Sequence, residues 1–117
     1  MDKNFNIEEA KKFLENRESE EKEKREADRK ATLTIVIDSL KSIFLDTGVE
    51  VYLVGSIAKP YMFHPYSDVD VVLKNFKGDR FDLWTRLETA IKKNVEVIIF
   101  ENCHFQEYVI KDGYKVL

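Results

Sequence analysis

The stretch VYLVGSIAKPYMFHPYSDVDVVL, residues 51–73, determines most of what can be predicted about this fold. It opens with an apolar run that predicts a β-strand over residues 50–54. It closes with a second apolar run, which predicts a strand over residues 68–74 and carries two aspartates. Between the runs lie Gly55-Ser56, one predicted helical turn over residues 57–59, and a loop bounded by two prolines.

The two aspartates, Asp68 and Asp70, are predicted to project from one face of the second strand, because alternation sends residues i and i+2 to the same side. Adjacent carboxylates repel each other unless a cation lies between them, and a magnesium ion bound to phosphate is a common solution. The Gly55-Ser56 turn lets a backbone approach a phosphate closely. These residues therefore indicate a nucleoside triphosphate site. The alternatives are a solvated strand edge for the aspartates and an ordinary capped turn for Gly55-Ser56.

The composition limits the classes of protein to which this chain can belong. The 117 residues predict one domain, and 44% apolar residues suffice for a single core. Charged residues reach 35%, but the net charge is only −3, so there is no global electrostatic case for nucleic-acid binding. The lone Cys103 excludes an intramolecular disulfide, and with two histidines it forms no zinc pattern. No apolar stretch has the length of a membrane span, and we expect a cytoplasmic protein.

Residues 7–46 contain neither glycine nor proline and predict a long helix with Asn6 as N-cap and Gly48 as the C′ residue. In residues 15–30 nearly every side chain is charged, which predicts a solvated face or, alternatively, a coiled-coil arm that carries a partner. One continuous helix of about 40 residues would be about 60 Å long. It would either bend back near residues 29–32 or project half its length.

The order of motifs resembles a known family. Gly55-Ser56, eleven further residues and then Asp68-Val69-Asp70 resemble the signature of the DNA polymerase β nucleotidyltransferase superfamily, in particular its minimal nucleotidyltransferases. The resemblance implies an α/β (α+β) nucleotidyltransferase fold, a small mixed sheet with flanking helices preceded by a long N-terminal helix. It divides the chain into a helical region, residues 1–47, and a nucleotidyltransferase core, residues 48–117. The predicted elements of the core are a helix over residues 81–92, a strand over 95–100, a short helix near 105–111 and an extended end, 114–117.

The resemblance also implies a metal site. Asp68, Asp70 and Glu96, the carboxylate of the next strand, would bind two Mg²⁺ ions, and Glu96 would help to deprotonate an acceptor hydroxyl. The family more often has Asp at the position of Glu96, and the extra methylene shifts the carboxylate by about 1–1.5 Å. The alternative for Glu96 is a polar residue that simply faces solvent.

The nucleotide contacts follow from the same resemblance. Gly55 and Ser56 would hold the triphosphate through backbone N–H groups and the serine hydroxyl. Lys59 stands near a basic position of the family, where arginine is usual, and Ser67 precedes the aspartates; both are candidate nucleotide contacts. The alternatives are a surface lysine and a serine that satisfies local backbone groups. The loop to Asp68 is one residue longer than in many minimal members.

The implied reaction transfers a nucleoside monophosphate, with ATP the expected donor, to a hydroxyl of a protein or small molecule. Small members of the family often work with a separately encoded all-helical partner protein, and some such pairs behave as toxin and antitoxin. The chain fits such a two-component system, with an all-helical protein as its expected partner. Apart from the resemblance, the long N-terminal helix is a candidate route to homo-oligomers. The alternative is a catalytically weak or inactive nucleotide-binding or antitoxin module that acts by protein contact.

Overall fold

Helices and strands follow the predicted order in the computed structural model, which describes residues 6–117; the first five residues of the predicted 1–47 region lie outside it. A short 3₁₀ turn, Gly55–Ala58, replaces the predicted helical turn over residues 57–59. The elements are α1 (Ile7–Phe44), β1 (Glu50–Val54), β2 (Val69–Lys74), α2 (Arg80–Ile91), β3 (Val95–Ile99), α3 (Gln106–Asp112) and β4 (Tyr114–Lys115).

The four strands form one mixed sheet, as the resemblance predicts, and their order in it is β3-β2-β1-β4. β2 is antiparallel to β1 and parallel to β3, and β4 pairs antiparallel with β1. One face packs on α1 and α2 through fully buried side chains such as Leu53, Val71 and Val97. The other face packs on α3 through Val72 and Val109. Because side chains alternate, Asp70 and Glu96 lie on this second face.

Helix α1 runs without a break through 38 residues, a length of about 57 Å. Its C-terminal half packs on the sheet through Val36, Leu40 and Phe44. Residues 11–24 are all exposed, so the N-terminal half projects, and the molecule measures 68 × 29 × 20 Å. The Asn6 side chain accepts a hydrogen bond from the Glu8 N–H at 2.9 Å, which confirms the predicted N-cap.

The end of α1 corrects one prediction. The helix ends at Phe44, and the prediction of Gly48 as its C′ residue is wrong. The Thr47 hydroxyl donates to the Phe44 carbonyl at 2.6 Å, which satisfies a carbonyl of the last turn. Asp46, not the glycine, takes the left-handed conformation next to the cap, with φ of 63°. Gly48, with φ of 80°, lies in the turn beyond.

Two charged residues of α1 are buried, so the solvated face predicted for residues 15–30 is wrong at these positions. Glu26 and Arg29 are 6% and 7% exposed and form an ion pair with each other. Arg29 Nη1 donates to the Ile57 carbonyl at 2.9 Å, and the Tyr61 N–H donates to Glu26 Oε1 at 3.1 Å. The hydrogen bond from Arg29 holds the pKa of Glu26 below its usual range. We call Glu26 and Arg29 the helix–turn anchor, because they join α1 to both ends of the segment after Gly55-Ser56.

None of the helices within residues 6–117 combines the length and the apolar character that crossing a bilayer requires.

Replacing Arg29 by alanine should destabilise the fold, because it leaves the buried Glu26 carboxylate and the Ile57 carbonyl without their partner. We expect the unfolding equilibrium constant, measured by urea denaturation, to rise about tenfold or more. Arg17→Ala is the matched control, since Arg17 pairs with Glu21 on the same helix but is 64% exposed, and its loss should be close to neutral. Equal effects of the two substitutions would contradict a structural role for the anchor.

Candidate active site

Gly55 follows the last residue of β1 and lies directly against Asp70 on the neighbouring strand. Its φ of +75° is one that side chains rarely adopt. A Cβ at this position would lie 2.6 Å from Asp70 Oδ2. The register explains the contact, because Val54 of β1 pairs with Asp70 of β2. Glycine is therefore required here both by the backbone and by the carboxylate beside it.

Asp70 and Glu96 form a like-charge pair across two parallel strands. Their Cα atoms are direct partners in the register of β2 and β3, and both side chains lie on the α3 face of the sheet. Burial raises the pKa of Asp70 to about 6, and the carboxylates of Glu96 and Asp68 and a hydrogen bond with Glu96 add to the rise. The structure therefore concentrates negative charge at Asp70, where a cation or a proton would relieve it.

A cavity of about 540 Å³ opens beside this pair. Of the predicted site residues, Gly55, Asp70 and Glu96 line it. Its other walls come from the end of β1, from α2, from the end of β3, from the segment that connects β3 to α3, and from α3: Val54, Arg80, Ile98, Ile99, Asn102, Cys103, His104, Phe105 and Tyr108. Arg80 is the one Lys or Arg among these lining residues of the described chain. A volume of this size is typical of small-molecule sites.

Asp68 lies outside the cavity. β2 begins at Val69, whose N–H donates to the Asn94 carbonyl at 2.9 Å, so Asp68 precedes the strand and the strict alternation expected for it does not apply. The exposed Asp68 lines a separate depression together with Glu96 and Glu88. Glu96 thus borders both spaces, and the two aspartates approach it from different sides.

The three remaining predicted contacts are not among the residues that line the cavity. Ser56 lies in the 3₁₀ turn, where its carbonyl accepts the Lys59 N–H at 3.2 Å. The ammonium nitrogen of Lys59 lies 5.4 Å from the centre of the Tyr108 ring, and a hydrogen bond with Tyr108 raises the pKa of Lys59. Ser67 Oγ accepts the His64 N–H at 2.9 Å and so closes its own loop. Lys59 therefore contacts Tyr108, which lines the cavity, but does not line the cavity itself.

The acidic residues fit a magnesium ion only in part. Within residues 6–117, no three His, Cys, Asp or Glu side chains converge in a ready-made metal site. Magnesium, however, is commonly held by one or two carboxylates together with substrate phosphates and water. Asp70 and Glu96 provide such a pair beside the cavity. A role for Asp68, and a second ion, would require the residues before β2 to reorganise, and both stay predictions.

Sequence reasoning did not identify Arg80, His104, Phe105 or Tyr108 as site residues. Arg80 Nη2 donates to the Val97 carbonyl at 2.6 Å, which places the guanidinium at the edge of β3 next to Glu96. Tyr108 reaches the cavity because α3 crosses the face of the sheet that carries Asp70. These positions depend on tertiary packing, and no spacing pattern in the sequence indicates them.

Substituting Gly55 by alanine should be more damaging than the same change at Gly48. Both glycines have positive φ, so each substitution introduces about 1 kcal/mol of backbone strain. At Gly48 no atom lies within 4 Å of the new Cβ, whereas at Gly55 the Asp70 carboxylate must move. We expect a further loss of about 1–3 kcal/mol at Gly55, measured as the free energy of unfolding. Similar losses for the two variants would argue against the contact with Asp70.

Asp70→Asn should stabilise the folded protein at neutral pH. The pKa of Asp70 is about 6 in the fold against 3.8 in its absence, so its protonation supports folding below about pH 4, and this support is lost as the pH rises through 6. The full pKa shift corresponds to about 3 kcal/mol in the free energy of unfolding. Because the side chain is partly exposed, we expect Asp70→Asn to gain only about 1 kcal/mol at pH 7.5.

The free energy of unfolding, measured from pH 4 to pH 8, checks this expectation. The gain of Asp70→Asn over the wild type should vanish near pH 4, and Asp46→Asn, at an exposed carboxylate remote from the cavity, should show no such trend. Parallel pH profiles for the wild type and Asp70→Asn would exclude the charge cluster.

The fold is shared with known structures. The sequence matches no protein-family model and no curated protein. It is similar to a crystal structure of the toxin–antitoxin pair MntA–HepT, with 17% identity over 75% of this chain and 71% of that chain and a TM-score of 0.50. A mutant of this pair, in which two aspartates two positions apart are replaced by glutamate, gives 17% identity over 73% and 71% of the two chains and a TM-score of 0.54. At this identity the similarity shows the fold, and the chain has the nucleotidyltransferase fold that the resemblance predicted.

Proposed function

We propose that the protein is a magnesium-dependent nucleotidyltransferase that moves AMP from ATP to a hydroxyl of a protein acceptor, as the transferase half of a toxin–antitoxin pair. The observation that carries the proposal is the Asp70–Glu96 carboxylate pair, held against Gly55 at the wall of a cavity large enough for a nucleotide. A like-charge pair with the half-buried Asp70 beside an open cavity is costly for folding, and such costs are typical of functional sites.

The residues around the pair suit a triphosphate. Without a side chain at Gly55, phosphate oxygens can approach the backbone of the 3₁₀ turn. The Arg80 guanidinium, fixed by the Val97 carbonyl, offers its remaining N–H groups to phosphate oxygens. Asp70 and Glu96 would hold the magnesium ion, which when bound neutralises phosphate charge and stabilises the leaving group. Ser56 and Ser67 are secondary candidates for contacts with the nucleotide.

In the proposed transfer, the acceptor oxygen forms a bond to the α-phosphorus of ATP while the bond between the α-phosphorus and the bridging oxygen breaks. Pyrophosphate leaves with the electron pair of that bond. The acceptor proton passes to a carboxylate, and Glu96 is the candidate because it is the more exposed member of the pair. Lys59, which lies against Tyr108, would support the wall of the cavity and contribute positive charge to it.

The similar structures support the coarser part of the proposal. Both are toxin–antitoxin complexes, which favours a protein partner for this chain as well. The aspartates replaced in one of them are two positions apart, the same spacing as Asp68 and Asp70. We infer that an Asp-x-Asp pair matters to such a complex.

The transfer is tested with ATP labelled either on the α-phosphate or on the γ-phosphate, with magnesium and an extract of the source organism as the pool of acceptors. We expect protein labelling from the α-labelled ATP alone, because AMP and not the terminal phosphate is moved. Asp70→Asn should reduce this labelling by about 100-fold, the scale on which metal sites respond to the loss of a ligand or its support. Asp46→Asn should label as the wild type does.

The second candidate function is a nucleotide-binding or antitoxin module without transfer activity. The position of Asp68 outside the cavity favours this alternative, because the third carboxylate is not assembled there. Calorimetric titration of Mg-ATP separates the candidates. Binding without label transfer would support the module that acts by contact, and the absence of both would exclude the nucleotide site altogether.

A further inference from the structure

The cavity beside Asp70 and Glu96 has an aromatic side to which the proposed function assigns no part of the substrate. We call Phe105 and Tyr108, which both line the cavity, the aromatic wall. Phe105 immediately precedes α3, and Tyr108 lies in its first turn. Phe105 is 42% exposed, and Tyr108 is half-buried. The two rings therefore offer aromatic surface to a molecule that occupies the cavity.

The aromatic wall stands one step along the strands from the carboxylates. Asp70 and Glu96 are direct partners in the register of β2 and β3 and form one row across the sheet. Two residues further along these strands, on the same face, lie Val72 and Ile98, and Tyr108 packs over this second row. Two residues of a strand span about 7 Å. The carboxylates and the wall are therefore close enough to contact two parts of one small molecule.

Charged and uncharged groups occupy different sides of the cavity. Arg80 brings positive charge to the lining, and it lies at the edge of β3 beside Glu96. Residues 102–108, which supply the wall on the side of α3, contain no Lys or Arg. Lys59 reaches Tyr108 from outside the lining. Phosphate groups therefore fit the side of the carboxylates and Arg80, and the aromatic side suits a flat, uncharged group.

A nucleoside triphosphate has the same division, with anionic phosphates at one end and a flat base at the other. Every nucleobase has a π-face that stacks on aromatic side chains, and the two-ring purines have the larger face. We propose that the aromatic wall is the base subsite for the donor nucleotide and that it favours purine over pyrimidine triphosphates. The inference rests on the proposed function, because it takes the carboxylate pair as the phosphate end of the site.

The two rings differ in how firmly the fold holds them. Tyr108 packs on the cluster of Val72 and Val109, and the Lys59 ammonium nitrogen lies 5.4 Å from the centre of its ring. A ring that is already fixed loses little conformational freedom when a base stacks on it, so less free energy is lost on binding. Phe105 is the more exposed ring, and a base would cover it. Phe105 can therefore be replaced without opening the core.

Calorimetric titration with two probes, ATP and inorganic triphosphate, each with magnesium, separates the base from the phosphates. We expect the wild type to bind ATP more tightly than inorganic triphosphate, because only ATP carries a base. Phe105→Leu keeps an apolar side chain but removes the ring. It should weaken ATP binding by about tenfold and leave the binding of inorganic triphosphate unchanged.

Two further variants serve as controls. Phe105→Trp keeps an aromatic ring at this position and should bind ATP at least as tightly as the wild type does. Phe13→Leu makes the matched change at a ring that is 65% exposed on the projecting half of α1, and it should bind both probes as the wild type does. Circular dichroism checks that each variant keeps its helix content.

Titration with CTP and GTP in place of ATP tests the choice of base. We expect the wild type to bind ATP and GTP several-fold more tightly than CTP, because the purines cover more of the aromatic wall. Phe105→Leu should bring the affinities for ATP and CTP closer together, since part of the stacking surface is gone.

The outcomes separate a failure of this inference from a failure of the proposed function. ATP binding that Phe105→Leu leaves unchanged would overturn the base subsite, while the nucleotide site itself would stand. Equal affinities of the wild type for ATP and inorganic triphosphate, or for ATP and CTP, would also overturn it. So would an equal loss of both probes in Phe105→Leu, because the ring would then support the phosphate end. A wild type that binds neither probe would exclude the proposed nucleotide site, and the base subsite with it.

Discussion

Repulsion between two carboxylates on neighbouring strands is the constraint around which this molecule is arranged. The parallel register of β2 and β3 places Asp70 directly beside Glu96, and the antiparallel register of β1 and β2 brings Gly55 against Asp70. Partial burial makes the repulsion stronger than it would be in water. A fold that retains such a pair beside a cavity is suited to hold a cation there, and Arg80 is the only protein cation that the described residues bring to the cavity wall.

The helix–turn anchor explains how the glycine turn keeps its position under this strain. Arg29 donates a hydrogen bond to the carbonyl of residue 57, and Glu26 accepts one from the N–H of residue 61. No strand or regular helix hydrogen bond satisfies these two main-chain groups. An apolar pair of similar volume would pack as well, but it would leave that carbonyl and that N–H unsatisfied. The buried charges are therefore explained by the irregular backbone that they hold, and they connect the long helix physically to the site.

The sequence pattern predicted the regular elements better than the site. The bounds of β1 agree with those observed, and β2 and β3 differ from prediction by a single terminal residue, because apolar runs between Gly, Pro and Asn are strong local signals. The resemblance implied that Asp70 and Glu96 come together, and the register of β2 and β3 places them side by side; their role as metal ligands stays a prediction. The alternation predicted for Asp68 does not apply. The strand begins one residue later than predicted, and side chains alternate between the two faces only within a strand.

Other features have no local signal. Glu26 and Arg29 are chemically indistinguishable from the exposed charges around them, and only the segment after Gly55 makes them interior. Arg80 and Tyr108 reach the cavity through the packing of α2 and α3 against the sheet, over sequence separations that periodicity does not address. The charged run therefore contains both solvated and interior residues, and composition alone cannot separate them.

The unbroken course of α1 limits how this chain can change in length. Each residue of an α-helix adds a rotation of about 100° around the axis, so one residue inserted between Leu14 and Glu26 would turn every side chain N-terminal to it towards another side of the helix. The anchor would stay in place, while everything beyond it would rotate. An insertion of seven residues changes the direction by only about 20°. Length variation in this segment should therefore come in sevens, whereas the loop over residues 60–68 can gain or lose single residues without altering the phase of any helix.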